Sequence, residues 1–436
     1  MYCNFTDLED PQHVTASDEV ELQNVINSAG SAVVQVDVLN NISLTQSIQV
    51  PSGSRLIIHG VAAGATINSA APNTFQLFTI HSSSTTNTIF QISNLRLMGG
   101  GGSINGGAIG ANETGNVEVV LDVDSNIQSC QAPNGGAVFV LEGGIRVVGA
   151  AVSQCNASVD GGALYASCVE LHTANVSHNV AARNGGAIYA LEYSHINSSV
   201  TENSAGGDGG GVYLIGDGLL DGFPDDSAIL SFNTAGGSGG GIYLSNSGAM
   251  TTYLVLQSGV RVEDNKAILD GGGVWVSHGQ LARLHVGNTV TFQNNLAQNS
   301  VPNRLAIDDA VYLTNILSTT WTSPFTQGYN NYDIAYAPPI PCNVTGERLL
   351  DIALPVRVRP FATVGDVVSR CCGTATIVPE YQDFPPDEPN CDFTIHQRVC
   401  VQVPVEFGAA VEPGRVHSEC TGESCEECEE SDENNG

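Results

Sequence analysis

Only one residue in this 436-residue chain is a lysine, Lys266. Basic residues number 14 against 45 acidic ones, which gives a net charge of −31. This scarcity of positive charge excludes a nucleic-acid partner, which needs a basic footprint to neutralise phosphates. It also opposes docking on an anionic membrane surface. Charge of either sign is sparse, 14% of residues against 42% hydrophobic, so the chain is not a solvated acidic coil. No stretch approaches the roughly 18 to 20 apolar residues that a membrane span requires. Met1-Tyr2-Cys3-Asn4-Phe5-Thr6 has neither the basic nor the apolar region of a signal peptide.

What the chain has in excess is glycine, 49 residues or about 11% against a usual 7%. Much of it is ordered into pairs: Gly106-Gly107, Gly135-Gly136, Gly161-Gly162, Gly185-Gly186, Gly209-Gly210, Gly239-Gly240 and Gly271-Gly272. The first members are separated by 29, 26, 24, 24, 30 and 32 residues. A small residue, a branched apolar one and an aromatic usually follow, as in Leu164-Tyr165, Ile188-Tyr189, Val212-Tyr213, Ile242-Tyr243 and Val274-Trp275. Six residues ahead of the pair stands an asparagine in an apolar-x-x-Asn element: Asn179, Asn203, Asn233 and Asn265. Cys130 and Cys155 take that place in earlier copies. Asn295 opens one more copy, in which Asp308-Asp309 replaces the glycine pair.

A period near 24 accommodates three short strands and three turns, with no room for helices of ten residues. One such coil cannot bury its inward face, whereas stacked coils give every strand a parallel neighbour. Glycine pairs permit positive φ and close approach at a corner. Asparagine at one fixed place per coil suits a ladder of side-chain amides. The pattern predicts an all-β chain whose main body is a right-handed parallel β-helix over 31–315. Residues 1–30 are expected to cap it, with a helix over Ser17–Ala29 carrying Leu22, Val25, Ile26 and Ala29 on one stripe and ending at Gly30. Strand-like runs at 33–38, 48–50, 56–58, 78–80, 90–92 and 95–97 form early coils without the glycine signature.

The character changes near 316. Residues 316–341 are rich in Pro, Tyr and Asn and read as a linker. Residues 342–418 alternate apolar and polar and hold Cys342, Cys371, Cys372, Cys391 and Cys400, which reads as an antiparallel β module stapled by disulfides in an oxidising place. Residues 419–436 form an acidic, cysteine-bearing tail expected to be disordered. Cys420, Cys425 and Cys428 with His417 offer a zinc set, against which acidic neighbours favour disulfides.

The Gly-Gly-Ala-[Ile/Leu/Val] and apolar-x-x-Asn elements over about 100–312 resemble the repeats of the chlamydial polymorphic membrane proteins and, more broadly, β-helical adhesin passenger domains. The resemblance implies a surface or extracellular adhesin, spacer or fibre element that needs no cofactor and meets host-cell or matrix glycans or proteins. No outer-membrane barrel pattern follows the repeats, a departure from the family. Parallel β-helices also carry polysaccharide lyases and hydrolases, so an enzyme is the alternative, and a spore-surface or phage-tail component a third. Asp308 and Asp309 are adjacent carboxylates at a glycine-pair position of the repeat frame, although a substituted corner explains them better. Asn134, Asp160, Asn184, Asp208, Ser238 and Asp270 precede the glycines, where turn chemistry outweighs calcium binding. The recurrent aromatics are either an internal stack or a sugar-binding stripe. Cys130 and Cys155 are either stacked thiols or a disulfide. Seven Asn-x-Ser/Thr sequons, at Asn4, Asn41, Asn112, Asn156, Asn175, Asn197 and Asn343, identify no host.

Overall fold

A computed structural model describes residues 4–298, apart from 63, 223–227, 246–252, 277–283 and 288, and beyond them only short strands between 334 and 418. The chain divides into two compact units, 1–336 and 337–436. The first contains three parallel sheets of 19, 10 and 7 strands. The chain visits them in rotation. Leu164–His172 lies in the largest, Asn175–Ser177 in the second and Val180–Ala181 in the third, and Ile188–Ile196 returns to the first one coil on. The ten strands of the second sheet mark about ten turns of a β-solenoid. Register follows the repeat: Val152 pairs with Val176, and Val176 with Val200.

Alternation explains the core. Val176, Val200, Leu230, Val262 and Phe292 are the apolar members of the apolar-x-x-Asn elements, and all five are buried. Each full burial of such a side chain contributes about 1.5–3 kcal/mol relative to exposure. At the first coil the strand Gln12–Ala16 pairs with Val33–Val38, and the helix Glu19–Ser28 is inserted between them. Asp18 Oδ1 caps the helix by accepting from the Glu21 N–H at 2.8 Å, while the Glu21 carboxylate accepts from Ser17 N–H and Oγ. Leu22 and Ile26 are buried among the core residues. The helix is shorter at both ends than its apolar stripe suggests, because the Asp18 cap fixes its start and the turn into positive φ at Gly30 follows its end.

In the glycine-pair coils the chain turns through the left-handed region at its corners. In the coil containing Leu164 these residues are Thr173 (φ 50°), His178 (φ 58°) and Gly185 (φ 66°). The first glycine of every pair has positive φ, from 57° at Gly135 to 82° at Gly106. The second glycine serves close approach: a Cβ on Gly186 would collide with the Gly210 carbonyl oxygen of the next coil.

The strand Ile334–Tyr336 pairs in parallel with Val274–Val276, so a strand of the largest sheet is drawn from the Pro/Tyr/Asn-rich segment. In the second unit, strand pairs such as Thr376–Pro379 with Phe393–His396 and Val368–Arg370 with Cys400–Gln402 are antiparallel. Cys342, Cys371, Cys372 and Cys391, the acidic tail and the Asp308-Asp309 pair lie outside the described residues, as does the side chain of Cys400. Among the described residues no helix is long and apolar enough to cross a membrane.

Candidate functional site

Three side-chain columns run along the solenoid, and a fourth group of residues breaks its repeat. The first column is the asparagine corner between the second and third sheets. Asn179 donates through both N and Nδ2 to Asn203 Oδ1, at 2.9 and 3.0 Å. Asn203 does the same to Asn233, Asn233 to Asn265 and Asn265 to Asn295, all at 3.0–3.1 Å. Each Nδ2 also reaches a backbone carbonyl, that of Asn203 meeting Val176 O at 3.0 Å. All five asparagines are buried. Cys130 and Cys155 continue the column as buried free thiols, each donating to a backbone carbonyl at 3.3 Å. Burial pushes the Cys155 thiol well above its ordinary range.

The second column precedes the glycines. Asn105 Oδ1 accepts from Asn134, Asn134 Oδ1 from the Asp160 N–H, Asp160 from Asn184 N, Asn184 from Asp208 N, and Asp208 from Ser238 N. The carboxylates therefore face backbone N–H groups. Asp160 also binds Arg183, which keeps that guanidinium above its ordinary pKa, and burial raises the pKa of Asp208. Among the described residues no group of three His, Cys, Asp or Glu side chains is arranged to hold a metal ion.

The third column is aromatic. Phe139, Tyr165, Tyr189, Tyr213, Tyr243 and Trp275 stack with centroids 5.0, 4.7, 4.9, 5.0 and 4.3 Å apart. From Tyr165 onward the rings lie within 12° of parallel. The stack is not internal to the solenoid: Tyr213 is half-buried between the inward Val212 and Leu214, so the rings stand on the outer face of the largest sheet. Each ring covers its neighbour's face, so the interior rings have both faces occupied. A sugar ring that must lie on a free aromatic face finds none along the interior of this column. Burial raises the pKa of all four phenols.

The remaining group lies farther along the outer face of the same sheet, and nothing in the repeat pattern signals it. Register places Val120, Arg146, Glu170 and Ser194 in one outward row, with Glu118, Gly144 and Cys168 in the row beside it. Glu118 and Glu170 are each only 3% exposed. Arg146 Nε donates to Glu170 Oε2 at 3.2 Å, and His172 Nε2 approaches the same oxygen at 3.6 Å. Glu118 accepts from Asn87 Nδ2 at 2.5 Å and from Thr6, whose N–H and Oγ1 donate at 2.6 and 3.1 Å. Phe5 lies on the Arg146 guanidinium at 4.4 Å, and Asp7 pairs with it at 3.3 Å. The N-terminal segment thus meets two adjacent coils of the sheet. Cys168 is disulfide-bonded to a residue outside the described ones. The Ser194 Oγ is buried with no hydrogen-bond partner.

Inside the solenoid, Tyr193 and His195 form a buried polar pair. The Ser198 carbonyl can only accept, so His195 Nε2 carries the proton it donates at 2.6 Å, and Nδ1 accepts from the Tyr193 hydroxyl at 2.8 Å. Burial lowers the His195 pKa to about 4. His195 is fully buried and Tyr193 nearly so, and the pair holds a neutral imidazole.

Stacked parallel coils with axial ladders define the chain as a parallel β-solenoid. Compared with known proteins it matches no family model, no curated protein and no solved structure.

Proposed function

We propose that the protein is a non-enzymatic β-helical element of an extracellular or cell-surface assembly, acting as an adhesin, spacer or fibre component. The observation that carries this reading is the continuity of the asparagine and aromatic columns through consecutive coils. Shared hydrogen bonds and ring contacts resist bending and shear along one axis, which suits a stalk. The disulfide at Cys168 fits an oxidising, extracellular setting. The repeats also resemble those of the chlamydial polymorphic membrane proteins, which supports the adhesin form of the proposal. Its partners would be host-cell or matrix glycans or proteins.

A polysaccharide lyase or hydrolase is the second reading. It is favoured by Glu118, Arg146, Glu170 and His172, which gather carboxylate, guanidinium and imidazole groups on one sheet face. Against it, these groups neutralise one another or bind the N-terminal segment. Assays on pectin, alginate and glycosaminoglycans decide between the two. The structural reading expects no cleavage by the wild type. Cleavage that Glu118→Gln or Glu170→Gln abolishes would establish the enzyme.

A further inference from the structure

We propose that the outer face around Glu118, Gly144 and Arg146 is a recognition site for an extended aromatic–threonine–acid segment, filled by Phe5-Thr6-Asp7 of the same chain and open to the same segment of a second copy. The inference rests on the geometry of this face and is independent of the function proposed above.

Three consecutive residues are each read by the sheet. The Thr6 N–H and Oγ1 donate to the two oxygens of Glu118, at 2.6 and 3.1 Å. The Phe5 ring lies on the Arg146 guanidinium, and Asp7 pairs with the same group. Gly144, in register with Glu118 on the next coil, completes the site. Its φ lies outside the left-handed region, so its backbone does not require glycine. Glycine inside a strand weakens it and marks the close approach of another group. Here that group is Phe5, whose Cζ comes 2.8 Å from where a Cβ on Gly144 would stand. Glu118 shows the same fit from the polar side. A buried carboxylate is costly unless it is bonded. Asn87 supplies one donor to Glu118, and Thr6 supplies two.

These contacts, rather than a sheet ladder, seat the segment: residues 4–9 belong to no strand. The Asp7 side chain is 85% exposed, and ion pairs of that kind add little. Specificity therefore falls on Phe5 and Thr6. A tethered segment meets its site at an effective concentration of roughly millimolar order. In dilute solution the chain's own segment holds the site. Copies packed side by side present their segments to one another at a comparable concentration. Exchange then links one copy to the next through the same contacts.

Two variants of the full chain test the site. Phe5→Ala with Thr6→Val leaves a vacant site and a segment that cannot fill one. Glu118→Gln with Gly144→Ala leaves a blocked site and a free segment. Sedimentation of the mixture at up to about 1 mM, the scale of the effective concentration, should show a one-to-one species that neither variant forms alone. A labelled peptide of residues 4–9 should bind the first variant at least about tenfold more tightly than the wild type, whose own segment competes. The same peptide should not bind the second variant. The first variant alters only the segment, so a peptide with Thr6→Val probes the site without touching the sheet, and it should bind at least about tenfold more weakly. Absence of the mixed species overturns the proposal. So does peptide binding that is indifferent to the Thr6 change, or that is no tighter to the vacant variant than to the wild type.

Discussion

At Gly186 a side chain has nowhere to go, because the Gly210 carbonyl and the backbone of Ser204 already occupy the space. Gly186→Val should lower stability by about 3 kcal/mol, in the range of severe steric substitutions. A thermal or urea melt that matches the wild type would refute the close-approach account of the second glycine. His195 makes a different residue-scale prediction. Its folded pKa of about 4 lies below the ordinary 6.5, so the unfolded chain binds a proton that the folded one refuses. Stability from this group is complete above pH 6.5, falls as pH drops from there toward 4, and levels off below that. The slope is at most about 1.4 kcal/mol per pH unit. Urea midpoints measured from pH 7.5 to pH 4 should show this loss on top of the carboxylate contribution. A His195→Gln variant should lack that one-proton share, and equal pH slopes in the two proteins would contradict a buried neutral imidazole. The repeat pattern gave no warning of His195, since a lone polar residue facing the core breaks the rule that inward positions are apolar.

Among elements, the asparagine column couples one coil to the next most directly. Asn203→Ala would orphan two buried donors on Asn179 and remove the side-chain donor to the Val176 carbonyl. The expected cost is about 3 kcal/mol, from several unsatisfied groups rather than one lost bond. Asn203→Cys should cost less, because Cys130 and Cys155 occupy the same place with their thiols donating to backbone carbonyls. Denaturant unfolding of the two variants checks the order, and equal losses would mean that packing, not hydrogen bonding, sets the cost. This column is legible in the sequence because its period is fixed by the coil and its residue type by the corner. The aromatic column is legible as a recurrence but not as an outward stack. Alternation says only that Tyr213 and its equivalents oppose the inward face, and nothing in spacing says that ring lies on ring. The cluster of Glu118, Arg146 and Glu170 was illegible. Its members occur once each in coils of unequal length, and their partner Thr6 is more than a hundred residues away in sequence.

The whole molecule is built by adding coils, so its ends carry liabilities that its middle does not. Every interior strand has a parallel neighbour on both sides, while an end coil presents unpaired backbone and an open core. Leu22 and Ile26 close the N-terminal end, and Asp18 and Glu21 hold the helix that carries them. The apolar stripe and Gly30 made this helix readable. That its first strand, Gln12–Ala16, precedes it was not readable, because five residues with one clear apolar position carry little period. The cap is inserted into the first turn rather than placed ahead of it, so loosening it uncovers the core without removing the first strand. Ile26→Glu puts a charge where no partner exists, at a cost of several kcal/mol if it stays buried, and the helix should detach instead. The open end then offers apolar side chains and a strand edge to a second copy. Light scattering and sedimentation should show concentration-dependent association of the variant. Hydrogen exchange at distant coils such as Val200 and Leu230 should remain as slow as in the wild type. Uniform loss of protection along all coils would mean that the solenoid unfolds as one cooperative block, and that the helix is part of its nucleus rather than a cover on its end.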